Sequence, residues 1–164
     1  MSALADIRLF LLDMDGTVYL GSRLLPGSLD FLRYLGETGR DHLFLTNNSS
    51  RNSGYYAQKL TKLGWPAQPD EILTSGEATA LYLGGLKPAA RVYLLGTPDL
   101  ETEFAPYGFV LTDENPDYVV LGETHGYNLE QITRAIRLIA AGSRFVATNP
   151  DPSGPSEAGL VPAG

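Results

Sequence analysis

The feature that most constrains this chain is an apolar run over residues 9–12 that leads directly into two aspartates, Asp13 and Asp15. Four large apolar residues bounded by a polar turn predict a β-strand that is buried on both faces, as in a parallel sheet covered by helices. Such sheets bind their ligands beyond the carboxyl ends of the strands. The run therefore predicts a ligand site at Asp13 and Asp15.

The spacing of the two aspartates suits a shared ligand. Side chains alternate along a strand, so Asp13 and Asp15 fall on one side if the strand continues, and Gly16 then permits a sharp turn. Two carboxylates at close range require a cation or a shared proton, and hard oxygen ligands suit Mg²⁺. The alternative is that Asp13 caps the turn and that Asp15 and Gly16 form a turn dipeptide without chemistry.

Strands and helices alternate along the rest of the chain, which indicates a parallel sheet with helical crossovers. Further strands are predicted over residues 42–46, 72–75, 91–95, 118–122 and 144–148. Asn128 and Gln131 predict a capping box at the start of a helix, and Ile132, Ile136 and Ile139 predict its buried stripe.

Two motifs together resemble the haloacid dehalogenase superfamily of phosphatases. Asp-Met-Asp-Gly-Thr at 13–17 resembles the first motif of that superfamily, and Thr-Asn-Asn-Ser-Ser-Arg at 46–51 resembles the second motif of its p-nitrophenylphosphatase branch. Segments 116–124 and 147–151 resemble the large cap of the same branch. The resemblance implies an α/β fold: a Rossmann-like parallel-sheet core, here partial, over 1–76 and an inserted α/β cap domain over 77–164.

The resemblance also implies roles for the aspartates. Asp13 would be the nucleophile that forms an aspartyl-phosphate, and Asp15 would protonate the leaving oxygen and then activate water. Mg²⁺ would be held by the Asp13 carboxylate, by the backbone carbonyl of Asp15 and by an acidic residue of a later motif. The expected activity is Mg²⁺-dependent hydrolysis of a small phosphorylated metabolite.

Substrate binding would involve residues on three loops. The Thr46 hydroxyl and the Asn47 N–H would hold phosphate oxygens, although small polar residues after a strand also serve as ordinary helix caps. The resemblance leaves room for a homo-oligomer through the cap. The residues expected to contact substrate are Gly16, Thr46, Asn47, Asn48 and His125.

The chain departs from the family pattern after Asp151. Members of the branch continue into a second core segment that bears a lysine and a Gly-Asp-x-x-x-x-Asp motif, and none of Lys59, Lys62 and Lys87 matches that lysine. We therefore expect these 164 residues to be a fragment without the second core segment. Such a fragment would have an unpaired edge beside the Asp13 strand, weak Mg²⁺ affinity and little turnover.

Composition excludes several other classes of protein. A net charge of −7 without a basic run argues against nucleic-acid binding. No apolar run is long enough to span a membrane, residues 1–8 lack the features of a signal peptide, and a cytoplasmic location is expected. The absence of cysteine excludes disulfides and cysteine-based sites.

Two other functions remain open at this point. An Asp-x-Asp pair can bind the diphosphate of a nucleotide sugar through a metal, as in a transferase. The chain can also be a non-catalytic phosphate-binding or structural module that another chain completes, since the lysine and the second acidic motif do not occur in it.

Overall fold

The computed structural model describes residues 6–124, 126–157 and 159–162, in which strands and helices alternate. The strands are β1 (Leu9–Asp13), β2 (Tyr19–Leu20), β3 (Arg23–Leu24), β4 (Asp41–Thr46), β5 (Ile72–Thr74), β6 (Arg91–Leu95), β7 (Val110–Leu111), β8 (Tyr118–Leu121), β9 (Arg144–Ala147), β10 (Ser153–Ser156) and β11 (Gly159–Pro162). The helices are α1 (Ser28–Glu37), α2 (Ser53–Lys62), α3 (Ser75–Leu86), α4 (Pro98–Phe104) and α5 (Leu129–Ala140). The α/β fold class with parallel sheets is confirmed.

Contacts between residues divide the chain into two compact units. Of the described residues, those within 6–46, 53–73 and 154–161 form the first unit, and the others form the second. The assignment of 1–76 to a core segment and of 77–164 to a cap stays a prediction. In the part of the chain that the structure describes, no helix combines the length and apolar character needed to cross a bilayer.

The first unit contains a three-stranded sheet in the order β1-β4-β5, with β1 parallel to β4. Helix α1 covers one face of β1, where Phe10 and Phe31 meet edge to face with ring centroids 5.7 Å apart. On the other face Leu9 and Leu11 are 54% and 59% exposed. The expectation that β1 is buried on both faces is thus wrong for the described residues, because α1 packs on the Phe10 side and leaves the Leu9 and Leu11 side uncovered.

A buried cluster in the first unit depends on Leu60 of α2, whose side chain is fully buried with those of Phe44 and Tyr19. Leu60→Ala is expected to lower the free energy of unfolding by about 3 kcal/mol, because truncation leaves a cavity in a packed core. Urea unfolding measures the change. Leu11→Ala removes the same atoms from an exposed position and is expected to cost no more than about 0.5 kcal/mol. Equal losses in the two variants would contradict this packing.

The second unit contains a four-stranded parallel sheet in the order β7-β6-β8-β9. Side chains of β8 alternate between two buried clusters: Tyr118 and Val120 pack with residues of α3 and α4, whereas Val119 and Leu121 pack with residues of α5. Helices therefore cover both faces of this sheet, as a short and continuously apolar strand such as β8 predicts.

Helix α5 begins with the predicted capping box. The backbone N–H of Gln131 donates to Asn128 Oδ1 at 2.8 Å, and the backbone N–H of Asn128 donates to Gln131 Oε1 at 3.4 Å. Two N–H groups that lack intrahelical partners are satisfied in this way, so the sequence pattern located the start of the helix correctly.

The predicted buried stripe of α5 is wrong at two of its three positions. Ile132 and Ile136 are 39% and 61% exposed, whereas Ala135, Leu138 and Ile139 pack toward β8. The apolar residues of this helix cover more than one face, and the face that contacts the sheet is the one that carries Ala135.

Asp117 ties the amino-terminal ends of two strands in the second unit. Its carboxylate accepts hydrogen bonds from Lys87 Nζ at 2.6 Å and from the Arg91 N–H at 2.9 Å, and these bonds lower its pKa, the Lys87 bond most. A carboxyl whose folded-state pKa is lowered stabilises the fold above its unfolded pKa of about 4, and loses that contribution as the pH falls through the folded pKa.

Asp117→Asn is therefore expected to destabilise the second unit at pH 7, by no more than about 1 kcal/mol for a pair at the surface. The difference from the wild type should be smaller at pH 3 than at pH 7. Urea unfolding at both pH values measures it, with the exposed Asp70→Asn as the control. A deficit that is the same at both pH values would contradict an electrostatic role for Asp117.

Candidate active site

Asp13 is the last residue of β1, and its carboxylate lies at the carboxyl end of the sheet of the first unit. Its Oδ2 atom accepts a hydrogen bond from the Thr17 hydroxyl at 2.9 Å. The parallel register places Asp13 opposite Leu45, so the buried Thr46 follows at the same edge as the last residue of β4. The fold thus brings the predicted nucleophile and one predicted phosphate-binding hydroxyl to the same end of two neighbouring strands.

A compact turn after β1 carries Asp15. The Met14 carbonyl accepts the backbone N–H groups of Thr17, Val18 and Tyr19 at 2.9–3.3 Å. Gly16 lies within this turn at φ +85°, a conformation that is costly for a residue with a Cβ atom. Because β1 ends at Asp13, Asp15 lies in this turn and not on a continued strand, so the strand alternation used in the sequence argument does not reach Asp15.

The carboxylate of Asp15 is held at both of its oxygens. Oδ2 accepts a hydrogen bond from the Tyr19 hydroxyl at 3.1 Å, and Oδ1 lies 3.9 Å from Lys59 Nζ. Burial raises the pKa of Asp15, Lys59 and the Tyr19 hydrogen bond oppose the rise, and the nearby Asp13 adds to it. A raised pKa favours the protonated carboxyl, which is the form that a general acid needs.

Tyr19 and Lys59 are contacts of Asp15 that the sequence reasoning missed. The Tyr19 side chain is fully buried, and burial together with Asp15 raises its pKa, so the hydroxyl keeps its proton and donates it. Lys59 Nζ lies 3.7 Å from the centroid of the Tyr19 ring, and burial lowers the pKa of this ammonium while Asp15 opposes the shift. The position of Tyr19 four residues after Asp15 could have indicated the first contact. Nothing in the sequence indicates the second, since Lys59 lies on a helix 44 residues later in the chain.

Asn47 and Asn48 belong to the second unit, where their side chains shape the loop after β4. Asn47 Nδ2 donates to Asp151, and Asn48 Nδ2 donates to the buried Glu123 at 3.0 Å. Asn48 Oδ1 also accepts from the N–H of Ser50 at 2.8 Å. These contacts hold the loop in place within the second unit.

Five residues are predicted to contact substrate. His125 lies outside the described residues. For Gly16, Thr46, Asn47 and Asn48 the structure gives positions and hydrogen bonds, and their contact with substrate stays a prediction.

The oxygen atoms at the end of β1 fit the chemistry of Mg²⁺. The ion commonly binds one or two carboxylates together with waters and substrate phosphate, rather than a cage built wholly of protein. The Asp13 carboxylate and the Asp15 backbone carbonyl are hard oxygen atoms of this type, and their binding of a metal ion stays a prediction. Among the described residues, no group of three or more acidic or histidine side chains could hold a metal ion. The described residues therefore supply fewer ligands than a metal site built wholly of protein side chains.

The chain is similar to known phosphatases. The family described as haloacid dehalogenase-like hydrolase matches residues 10–110, which include both aspartates and the 46–51 segment. The dihydroxyacetone phosphatase of Corynebacterium glutamicum (strain R) is 40% identical over 154 residues, which are 94% of this chain and 56% of that protein.

Solved structures of phosphatases are also similar to this chain. The 4-nitrophenylphosphatase of Thermotoga maritima is 44% identical with a TM-score of 0.95, and the match covers 99% of this chain and 62% of that one. The glycerol phosphate phosphatase of Mycobacterium tuberculosis, solved in complex with magnesium, is 35% identical with a TM-score of 0.88, and the match covers 99% and 50% of the two chains.

The chain thus spans between 50% and 62% of the length of these three relatives. The family match covers more than half of the chain, the structural matches extend over nearly all of it, and the motif at 13–17 lies inside both. The resemblance inferred from the sequence is confirmed: this chain belongs to the haloacid dehalogenase-like hydrolase family.

Proposed function

We propose that this chain carries the catalytic aspartates of a Mg²⁺-dependent phosphomonoester hydrolase that acts on a small phosphorylated metabolite. One observation carries the proposal: two carboxylates with different surroundings lie at the end of β1 and in the turn directly after it. Asp13 is exposed and contacts a hydroxyl, whereas Asp15 is half-buried with a raised pKa. Two carboxyls in unlike environments are suited to unlike roles in one reaction.

The chemistry assigned to these residues has two steps. In the first, a carboxylate oxygen of Asp13 attacks phosphorus, the bond from phosphorus to the ester oxygen breaks, and Asp15 gives its proton to that oxygen. In the second, Asp15 takes a proton from a water molecule whose oxygen attacks phosphorus, and the bond to Asp13 breaks to release phosphate. The Thr46 hydroxyl, at the end of the neighbouring strand, donates a hydrogen bond to a phosphate oxygen.

Asp13 and the Asp15 carbonyl would hold the Mg²⁺. When bound, the ion neutralises charge on the phosphate oxygens and lessens the repulsion between phosphate and the Asp13 carboxylate. Support for this ion comes from the oxygen ligands at the strand end and from a related phosphatase that was solved with magnesium.

Substrates of the sugar-phosphate or triose-phosphate class are proposed for this site. The support is the named activity of two relatives, a dihydroxyacetone phosphatase and a glycerol phosphate phosphatase. Both names denote small polyol or keto compounds with a single phosphate ester, which a site built around one phosphoryl group can accept.

The test is hydrolysis of p-nitrophenyl phosphate, dihydroxyacetone phosphate and glycerol phosphate by the purified protein, with Mg²⁺ and with EDTA. We expect phosphate release that is slow, since the family's lysine and second acidic motif do not occur in these residues, that requires Mg²⁺, and that returns when the ion is restored after chelation. Binding of inorganic phosphate without turnover of any of the three esters would instead favour a non-catalytic phosphate-binding module.

A further inference from the structure

Lys59 contacts two side chains next to the strand end. It lies in the second half of α2, and its Nζ atom is 3.9 Å from Asp15 Oδ1 and 3.7 Å from the centroid of the Tyr19 ring. Its side chain is 23% exposed, and that of Asp15 is 29% exposed. The ammonium is therefore partly shielded from water, and its attraction to Asp15 is screened less than that of an ion pair on the surface.

The three side chains form a closed set of contacts. Tyr19 donates to one oxygen of Asp15, Lys59 approaches the other oxygen, and the Lys59 ammonium lies over the Tyr19 ring, where the negative face of the aromatic system attracts a cation. The Tyr19 ring is fully buried, so core packing fixes the position of its hydroxyl. Rotation of an aspartate carboxylate about χ2 has a low barrier. The Tyr19 hydrogen bond at one oxygen and the Lys59 ammonium near the other restrict this rotation.

We infer that Lys59 is a positioning residue, which together with Tyr19 orients the Asp15 carboxyl group for proton transfer to the leaving oxygen. The inference rests on the proposed function, because orientation matters only if Asp15 transfers a proton. Such a transfer requires the carboxyl oxygen to lie about 2.6–3.2 Å from the oxygen that receives the proton. A carboxyl that rotates freely meets this condition only part of the time.

Lys62 provides a matched control on the same helix. It lies three residues after Lys59 and borders the same surface cavity of about 400 Å³, together with Gly21, Ser22 and Tyr55. The ion pair with Asp15 involves Lys59. Lys59→Met and Lys62→Met thus make the same chemical change in one cavity, and only the first removes a contact to Asp15.

The kinetic test uses substituted phenyl phosphates that differ in the acidity of their leaving phenol. A departing p-nitrophenolate needs little protonation, whereas a departing phenolate needs much more. Lys59→Met is therefore expected to lower kcat/KM for phenyl phosphate by about 10- to 100-fold and for p-nitrophenyl phosphate by less than about 3-fold. Lys59→Arg should restore most of the loss, Tyr19→Phe should give a loss of the same kind, and Lys62→Met should match the wild type.

A second readout does not depend on turnover. The protein is labelled with ¹³C at the aspartate carboxyl carbons and studied by NMR. The Asp15 resonance is assigned as the one that is missing from the spectrum of Asp15→Asn. At a fixed pH the chemical shift of this resonance should change in Lys59→Met and stay unchanged in Lys62→Met. A purely structural role for Lys59 would lower the melting temperature without changing the dependence of kcat/KM on the leaving group.

The outcomes separate this inference from the function on which it rests. The positioning role requires that Lys59→Met change both the leaving-group dependence and the Asp15 resonance. If the wild type is active and either readout stays unchanged, the positioning role is overturned while the hydrolase stands. If the wild type hydrolyses no ester, the proposed function fails, and the catalytic role of Lys59 fails with it.

Discussion

Asp13→Asn is expected to lower kcat for p-nitrophenyl phosphate on the order of 10³-fold or more, as loss of a covalent nucleophile does in other enzymes. An amide oxygen is a poor nucleophile and a weaker Mg²⁺ ligand than a carboxylate, so both functions of Asp13 are lost together. The shape of the side chain is nearly unchanged, and it is exposed at the strand end, so the fold should persist. Phosphate release at saturating Mg²⁺ measures the effect.

Asp70→Asn is the matched control, since it makes the same change at an exposed position in a short 3₁₀ turn away from β1. It should keep the activity of the wild type. The melting temperatures of both variants should stay within a few degrees of that of the wild type. A loss of activity in Asp13→Asn is then not caused by unfolding. Activity in Asp13→Asn above about one tenth of the wild type would remove Asp13 from the role of nucleophile.

Asp15→Asn is expected to lower kcat/KM for phenyl phosphate by about 10²- to 10⁴-fold, the usual contribution of a general acid or base. The loss should be smaller for p-nitrophenyl phosphate, because that leaving group departs without a proton. The substituted amide retains an oxygen that can accept the Tyr19 hydrogen bond, so the turn should keep its shape. Steady-state kinetics with the two esters measures both losses.

The same variant makes a prediction about the second step. If Asp15 also activates water, the phosphorylated form of Asp13 should accumulate in Asp15→Asn, and rapid mixing should reveal a burst of phenolate followed by slow turnover. Equal losses for the two esters and no burst would contradict both proton-transfer roles of Asp15.

Local patterns account for the features that the sequence predicted correctly. The apolar strand and the turn at Gly16 lie within eight residues, and each depends on its neighbours in the chain: a short apolar run favours a strand, and a left-handed glycine favours a turn. The capping box of Asn128 and Gln131 is equally local. Features of this kind can be predicted because short-range backbone geometry limits which residues satisfy them.

Long-range packing accounts for the features that were missed. Lys59 contacts Asp15 only because α2 packs beside the turn after β1, and no pattern within α2 indicates which of its residues faces that turn. The same limit explains the error at Ile132 and Ile136, where an apolar pattern broader than one face left the contacting side of α5 undetermined. Exposure of Leu9 and Leu11 likewise depends on which elements flank β1.

Chemical trapping shows whether Asp13 becomes phosphorylated during hydrolysis. The protein is mixed with p-nitrophenyl phosphate and Mg²⁺, quenched in acid within milliseconds, digested and mapped by mass spectrometry. We expect a phosphoryl group on the peptide that contains Asp13, stable in acid, released by hydroxylamine and absent from Asp13→Asn. Hydrolysis of the ester with no phosphoryl group on Asp13, or with one on a different residue, would contradict this expectation.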